Sequence, residues 1–286
     1  MHRRDFLRSS VLLAGTLGTA GTLVACSRSS GGIPSGEATL VPQVASFEVL
    51  TGSNQIVPFG LRTLQNTEVP DADVSVFLRD LNGEQIGGPF PTEYTEEIDR
   101  ALGLYIARLD LTEAGRLELV AVEGDRYGTQ AINVVAPQDS QVQVAGDEAV
   151  SVQTPTSDDK LGFAKLCTQE PPCGMHEVSL DAALKAGRPV MLLFATPAYC
   201  QTAVCGPATG TVDEIRASGD WGETAFIHCE IYSDQGQTVS RPVSRWKLPT
   251  EPWLFSVGAD GMIAGRLDGP MLPSRVEAMA GEIAAA

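Results

Sequence analysis

Two cysteines five positions apart, Cys200 and Cys205, lie in the segment Cys-Gln-Thr-Ala-Val-Cys-Gly-Pro directly after the apolar run Pro189-Val-Met-Leu-Leu-Phe-Ala195. A thiolate near a helix N-terminus meets the partial positive charge of unpaired N–H groups. This lowers its pKa and supplies the nucleophile of disulfide exchange. Gly206 and Pro207 suit an N-cap and a first helical position, so a helix is predicted over residues 208–217. Five residues of regular helix would separate the two Cα atoms by roughly 8–9 Å, whereas a disulfide needs less than about 7 Å. Cys200 is therefore expected in a loop and Cys205 at the helix mouth.

The other sulfur and imidazole groups offer different chemistry. Cys167 and Cys173 bracket the stiff loop Thr-Gln-Glu-Pro-Pro and read as a structural disulfide in an exported protein. Cys229 sits in an apolar strand and reads as a buried, inert thiol. Copper is the alternative to a site without any cofactor. Cu(I) prefers soft ligands, and Cys200, Cys205 and His176 would supply two thiolates and an imidazole. His176 follows Cys173 by three residues, so a C-x5-C-x2-H group competes for it, while His228 stands too early on its strand to reach the thiol loop. A structural zinc site lacks a fourth ligand.

The elements that must position these groups are legible around them. The unbroken apolar run to Ala195 fits a strand buried on both faces. Before it, Ser179 can cap a helix over 180–186, ended by Gly187 and Pro189. Residues 224–232 form a second strand, with Ile227, Cys229 and Ile231 on one side and His228 and Glu230 on the other. A hairpin follows, its strands at 252–257 and 262–267 joined through Ala259-Asp260-Gly261, and then a closing helix over 274–283.

This succession, with cysteines after the first strand, resembles the thioredoxin fold over residues 161–286. The resemblance rests on the CQTAVCGP loop, on the run Trp246-Lys-Leu-Pro-Thr-Glu-Pro252-Trp and on the Asp260-Gly261 hairpin. It implies a cis-proline beside the active cysteines, for which Pro252 is better spaced than Pro249. Thioredoxins carry C-x2-C, however. The C-x4-C here is nearer to the C-x3-C of the copper-delivering Sco-type proteins. The carboxylate that thioredoxins bury on the strand before the loop is missing from Met191–Phe194. Glu230 is the candidate substitute as general base, against the plainer reading of a capped carboxylate. The loop also echoes peroxiredoxins, but Thr196 stands four residues before Cys200 where those enzymes have three.

The N-terminal half reads differently. His2-Arg3-Arg4-Asp5-Phe6-Leu7-Arg8 resembles a twin-arginine export signal, and Leu23-Val24-Ala25-Cys26 resembles a bacterial lipobox. Together they imply a signal over 1–25, removed to leave Cys26 acylated, and an extracytoplasmic lipoprotein anchored to the membrane. Residues 26–40 then form a flexible tether rich in Ser and Gly. Short alternating runs at 46–50, 55–64, 72–79, 105–111 and 116–122 predict an all-β sandwich over 41–136. Asn82-Gly83 and Glu123-Gly124-Asp125 supply its hairpins. The run Gly103-Leu-Tyr-Ile-Ala-Arg and the segment after it resemble immunoglobulin-like modules, and the absence of Cys and His makes this half a spacer or docking module. Polar residues 137–160 are expected to link it to the thioredoxin-like domain.

Composition bounds the rest. With 286 residues, 43% hydrophobic and 20% charged, the chain has length and apolar content for two folded domains. A net charge of −16, with its only Lys/Arg cluster at the extreme N-terminus, excludes nucleic acid as an expected partner. Three readings stay open for Cys200 and Cys205: a dithiol that exchanges with protein thiols and disulfides, a copper site, and a structural disulfide in a redox-inactive scaffold.

Overall fold

The computed structural model describes residues 32–96, 103–200 and 204–285. Alternating apolar residues build the first half as strands β1 (Leu40–Val44), β2 (Val49–Leu50), β3 (Gly52–Thr63), β4 (Val74–Arg79), β5 (Gln85–Thr95), β6 (Leu104–Leu111), β7 (Gly115–Glu123) and β8 (Arg126–Val135). Their order is β1-β3-β6-β5-β4-β7-β8-β2. Period-two side chains fill the interior: Val57, Phe59 and Leu61 from β3, Val74, Val76 and Leu78 from β4, and Tyr105, Ala107, Leu109 and Leu111 from β6.

The two layers expected of a sandwich are continuous here. Strand β5 runs past a corner, so that Phe90 and Pro91 pair with β4 whereas Thr92–Thr95 pair with β6. The curled sheet then brings β1 back toward β8, where the Thr39 amide donates to the Tyr127 carbonyl at 2.9 Å and the Val44 amide to Gln130 Oε1 at 2.6 Å. Both predicted hairpin turns join the expected strands, β4 to β5 and β7 to β8.

The second half is a four-stranded mixed sheet of order β10-β9-β11-β12, made of β9 (Val190–Ala195), β10 (Ala225–Glu230), β11 (Trp253–Val257) and β12 (Ile263–Asp268). β10 lies parallel to β9, and β11 antiparallel to both β9 and β12. Helices α1 (Leu180–Lys185), α2 (Cys205–Ser218), α3 (Arg241–Trp246) and α4 (Pro273–Ala284) complete it. Every β9 residue is buried because the strand alternates between two cores. Val190, Leu192 and Phe194 face α1 and α3, while Met191, Leu193 and Ala195 face α2 and α4. Strand, helix, parallel strand, hairpin and closing helix thus succeed one another as the thioredoxin resemblance implies.

Local chemistry corrects several boundaries. Helix α2 starts at Cys205 rather than 208, so Gly206 and Pro207 lie inside its first turn. A proline costs no hydrogen bond there, since first-turn N–H groups have no intrahelical acceptor. Helix α3 was not expected. Six residues are too few for a period to show, and Pro242 disguises the start. Ser179 does not cap the α1 backbone; its hydroxyl donates to Asp181 Oδ1 at 2.5 Å and accepts the Thr154 amide at 2.9 Å.

Residues 141–160 are built into the second half rather than strung between the two. Val142, Ala149 and Val152 join the α1/α3 core, the Ile263 amide donates to the Asp147 carbonyl at 2.9 Å, and Trp246 Nε1 donates to the Val150 carbonyl at 3.0 Å. The end of β12 meets the β1–β2 loop. Asp268 Oδ2 accepts the Phe47 and Glu48 amides at 3.0 and 2.9 Å, and Arg266 pairs with Glu48. Gly269 permits this closeness: its φ is +64°, and a Cβ there would fall 2.2 Å from the Ala45 carbonyl oxygen.

Candidate functional site

Cys200, in the loop between β9 and α2, and Cys205, at the start of α2, lie on the same side of the sheet, against the core that α2 and α4 share. Cys200 is half-buried, whereas Cys205, the first residue of α2, is fully buried. Burial pushes the Cys205 thiol well above the ordinary cysteine range, and a hydrogen bond with the Cys200 side chain adds to the shift. The Thr196 backbone hydrogen bond opposes both. Desolvation therefore outweighs the pull of the helix N-terminus. Cys200 is left as the accessible sulfur and Cys205 as its protonated neighbour.

The Glu251–Pro252 peptide is cis and leads directly into β11, the strand beside β9. Glu251 was not singled out from the sequence, yet its charge raises the Cys205 thiol and acts on Tyr232 together with both cysteines. Burial in turn raises the Glu251 carboxyl. Val204, one residue before α2, shares a recess with Leu61, Val69, Tyr94 and Leu104 of the β-rich half and with Pro270. This recess, lined also by Arg62 and Glu68, reaches the residue before Cys205.

Glu230 is placed otherwise than a base at these sulfurs. It is 1% exposed, and its Oε1 accepts the Thr168 amide at 2.6 Å and the Thr168 hydroxyl at 2.8 Å. The same hydroxyl accepts the Ala198 amide at 3.1 Å, so among the described residues Glu230 reaches the thiol loop through Thr168. Cys229 lies on the opposite face of the sheet, its thiol pushed up by burial among the α1/α3 core, and is no mate for the pair.

A second cluster is assembled beneath the loop. Cys167 and Cys173 Sγ are 3.6 Å apart, in contact but far beyond the covalent S–S length of about 2.05 Å, so the expected disulfide is not formed in this structure. Two imidazoles close on them. His176 Nε2 is 3.2 Å from Cys173 Sγ, and His228 Nδ1 lies 3.3 Å from Cys173 Sγ and 3.7 Å from Cys167 Sγ. All four residues are buried, and their four ligand atoms lie within 4.8 Å of one another.

Backbone pairing makes this possible: the His228 amide donates to the Met175 carbonyl at 2.9 Å, and the Gly174 amide to Asp213 Oδ1 of α2 at 3.1 Å. The 167–176 segment is thus held between β10 and α2. Contact with Cys173 lowers the Cys167 thiol despite burial, and the Cys173 thiol is raised in return by Cys167 and by burial. Burial disfavours charge on His228, but the Cys167 sulfur and the Glu230 carboxylate raise it overall.

His176 therefore belongs with Cys167, Cys173 and His228, and not with Cys200 and Cys205 as the copper alternative required. The fourth ligand missing from the sequence reading is His228, 55 positions from Cys173 in the chain. Its signal was present in the side it shares with Glu230 on an otherwise apolar strand, since two polar groups on a buried face need partners. Cys26, Arg3 and Arg4 lie outside the described residues. Among the described residues, no helix is long and apolar enough to cross a membrane.

No family model and no curated protein matches the chain. Solved structures similar to it include a thioredoxin-family thiol:disulfide interchange protein from Chlorobium tepidum TLS, at 15% identity over 49% of this chain and 97% of that one, with a TM-score of 0.34. Immunoglobulin-like neighbours include titin M4, at 13% identity over 36% of this chain and 99% of that one, TM-score 0.20. Another is the titin M10 and obscurin-like 1 Ig complex, at 16% identity over 33% and 92%, TM-score 0.19. The strand order β10-β9-β11-β12 and the place of the thiol loop after β9 agree with the succession that the thioredoxin resemblance implies.

Proposed function

We propose that the chain is a thiol–disulfide exchange protein acting outside the cytoplasm, with Cys200 as nucleophile and Cys205 as resolving thiol. The carrying observation is the contrast at one loop: a half-buried Cys200 hydrogen-bonded to a fully buried Cys205 at the start of α2, with Pro252 at the head of β11, the strand that pairs with β9. In the reducing direction, the Cys200 thiolate attacks a partner disulfide. The partner's S–S bond breaks, one partner thiolate leaves, and a mixed disulfide forms. Cys205 then loses its proton and attacks Cys200 Sγ, which frees the second partner thiol. Two electrons pass to the partner, and the pair ends as a Cys200–Cys205 disulfide. Oxidation of a partner runs the same steps backwards.

Two modules divide this work in our reading. The immunoglobulin-like half is a docking platform, supported by the recess that Val69, Tyr94 and Leu104 share with Val204. Export and lipid anchoring at Cys26 rest on the Arg3-Arg4 and lipobox motifs, and the partner is a protein thiol or disulfide. Trapping tests the order of attack: with Cys205→Ser, a disulfide-bearing protein should stay covalently bound at Cys200, and Cys200→Ser should abolish the adduct. Equal trapping by both variants would reject the assignment.

A further inference from the structure

We propose that Cys167, Cys173, His176 and His228 bind one Zn²⁺ in a closed tetrahedral site beneath the thiol loop. The inference goes beyond the exchange chemistry and does not depend on it. A tetrahedron with Zn–S of about 2.3 Å and Zn–N of about 2.05 Å has S···S edges of about 3.8 Å and S···N edges of about 3.6 Å. The sulfurs here are 3.6 Å apart, and three of the four sulfur–nitrogen separations are 3.2, 3.3 and 3.7 Å. Four of the six edges, made by two distant segments, already stand near the separations one ion requires, and all four ligand atoms lie within 4.8 Å of one another.

The surroundings point the same way. His228 Nε2 lies 3.2 Å from the Ala195 carbonyl, which accepts only, so Nε2 carries the proton and Nδ1 presents its lone pair to the cluster. A ligating histidine held through its other nitrogen by a carbonyl is the usual second-shell arrangement of metal sites. The Cys173 amide donates to Cys167 Sγ at 3.5 Å, a contact suited to a thiolate acceptor. Burial supplies the strongest chemical reason. A Cys167–Cys173 disulfide would leave two imidazoles, 4% and 0% exposed, aimed at sulfurs that carry no proton and accept hydrogen bonds only weakly. A divalent cation satisfies both nitrogens and neutralises two thiolates at once. Two sulfurs and two nitrogens in a tetrahedron suit zinc, and four protein ligands fill the tetrahedral shell of one ion, as in structural sites. A recess lined by Lys160, Leu166, Glu170 and Pro172 reaches Cys167, Cys173 and His176 and gives the ion its entry path.

Elemental analysis of the full chain, purified without chelator, should give one zinc per chain. Cobalt loaded in its place should show the intense visible bands of tetrahedral thiolate coordination. A mercurial that blocks thiols should release the zinc from the unmutated protein, a readout that needs no variant to fold. Cys173→Ser and His228→Gln should lose stoichiometric zinc, while the Cys200→Ser/Cys205→Ser double variant keeps it. A Cys167–Cys173 disulfide in non-reduced peptide maps without bound metal would overturn the proposal. So would copper in place of zinc, or zinc lost with Cys200 and Cys205.

Discussion

Glu230 and Thr168 are locked together on the buried side of β10: one carboxylate oxygen takes both the Thr168 amide, at 2.6 Å, and its hydroxyl, at 2.8 Å. Through that hydroxyl the Ala198 amide is held, two residues before Cys200, while Cys167 immediately precedes Thr168. The thiol loop and the Cys/His cluster therefore share one brace. Thr168→Val removes the hydroxyl link, leaving the Thr168 amide on Glu230 but the Ala198 amide without its acceptor. Stability should fall by about 1–3 kcal/mol, seen as a lower urea midpoint, and Cys200 should alkylate faster. No change in either would refute the brace.

Accessibility should order the thiols. At neutral pH iodoacetamide is expected to modify Cys200 first, because Cys205 and Cys229 are fully buried and their thiols are held protonated by that burial. Peptide mapping after brief alkylation checks this. Labelling of Cys205 before Cys200 would reverse the proposed roles.

Glu251 is predicted to take the Cys205 proton during resolution: it stands two residues before β11, the strand beside β9, burial raises its carboxyl, and its charge is the least of the influences on that thiol. Glu251→Gln should slow release of the mixed disulfide by about 10²-fold, the lower range for general acid–base catalysis, with little effect on the first attack. Because Cys205 is raised, the release rate of the unmutated protein should climb with pH through the neutral range. Stopped-flow release measured against pH separates the two cases. An unchanged or faster Glu251→Gln would mean that the carboxylate acts by repulsion alone.

Asp268 gives stability its own pH dependence. Burial pushes its carboxyl to about 6, against the Glu48 amide, the Arg266 charge and the Phe47 amide, all of which lower it. A folded pKa above the unfolded one means that the native state holds the proton more tightly. This contribution is complete below about pH 4 and is lost as pH rises through about 6. Asp268→Asn keeps an acceptor for the two amides without the buried charge. It should raise stability at pH 7 by about 2 kcal/mol or less and flatten the profile between pH 4 and 7. Thermal melts across that range give the answer, and a steeper profile in the variant would contradict the account.

The exchange loop was legible because its signals are local. An apolar run, a cysteine, a Gly-Pro pair and the spacing to Pro252 each speak within a few residues. Core assignment was equally legible, since β9 and β10 alternate sides residue by residue. What stayed hidden depends on contacts made across the chain. His228 joins Cys173 only because the 167–176 segment pairs with β10, and Glu251 matters only because β11 lies beside β9. Residues 137–160 read as a linker because the stretch is polar and Pro-containing, and its buried positions, Val142, Val144, Ala149, Val152, Thr154 and Pro155, sustain no one period along its length. Of these, Val142, Ala149 and Val152 fill irregular gaps over the α1/α3 core, which periodicity does not register.

The central claim is that Cys200 and Cys205 exchange with a partner rather than brace the fold. Equilibrating the protein with glutathione buffers and mapping the Cys200–Cys205 peptide gives the reduction potential of that pair. The account predicts a value within the range of exchange proteins, about −270 to −120 mV, with the pair shifting between dithiol and disulfide as the buffer changes. A potential below about −300 mV, unmoved by glutathione, would make the bond structural and contradict the account.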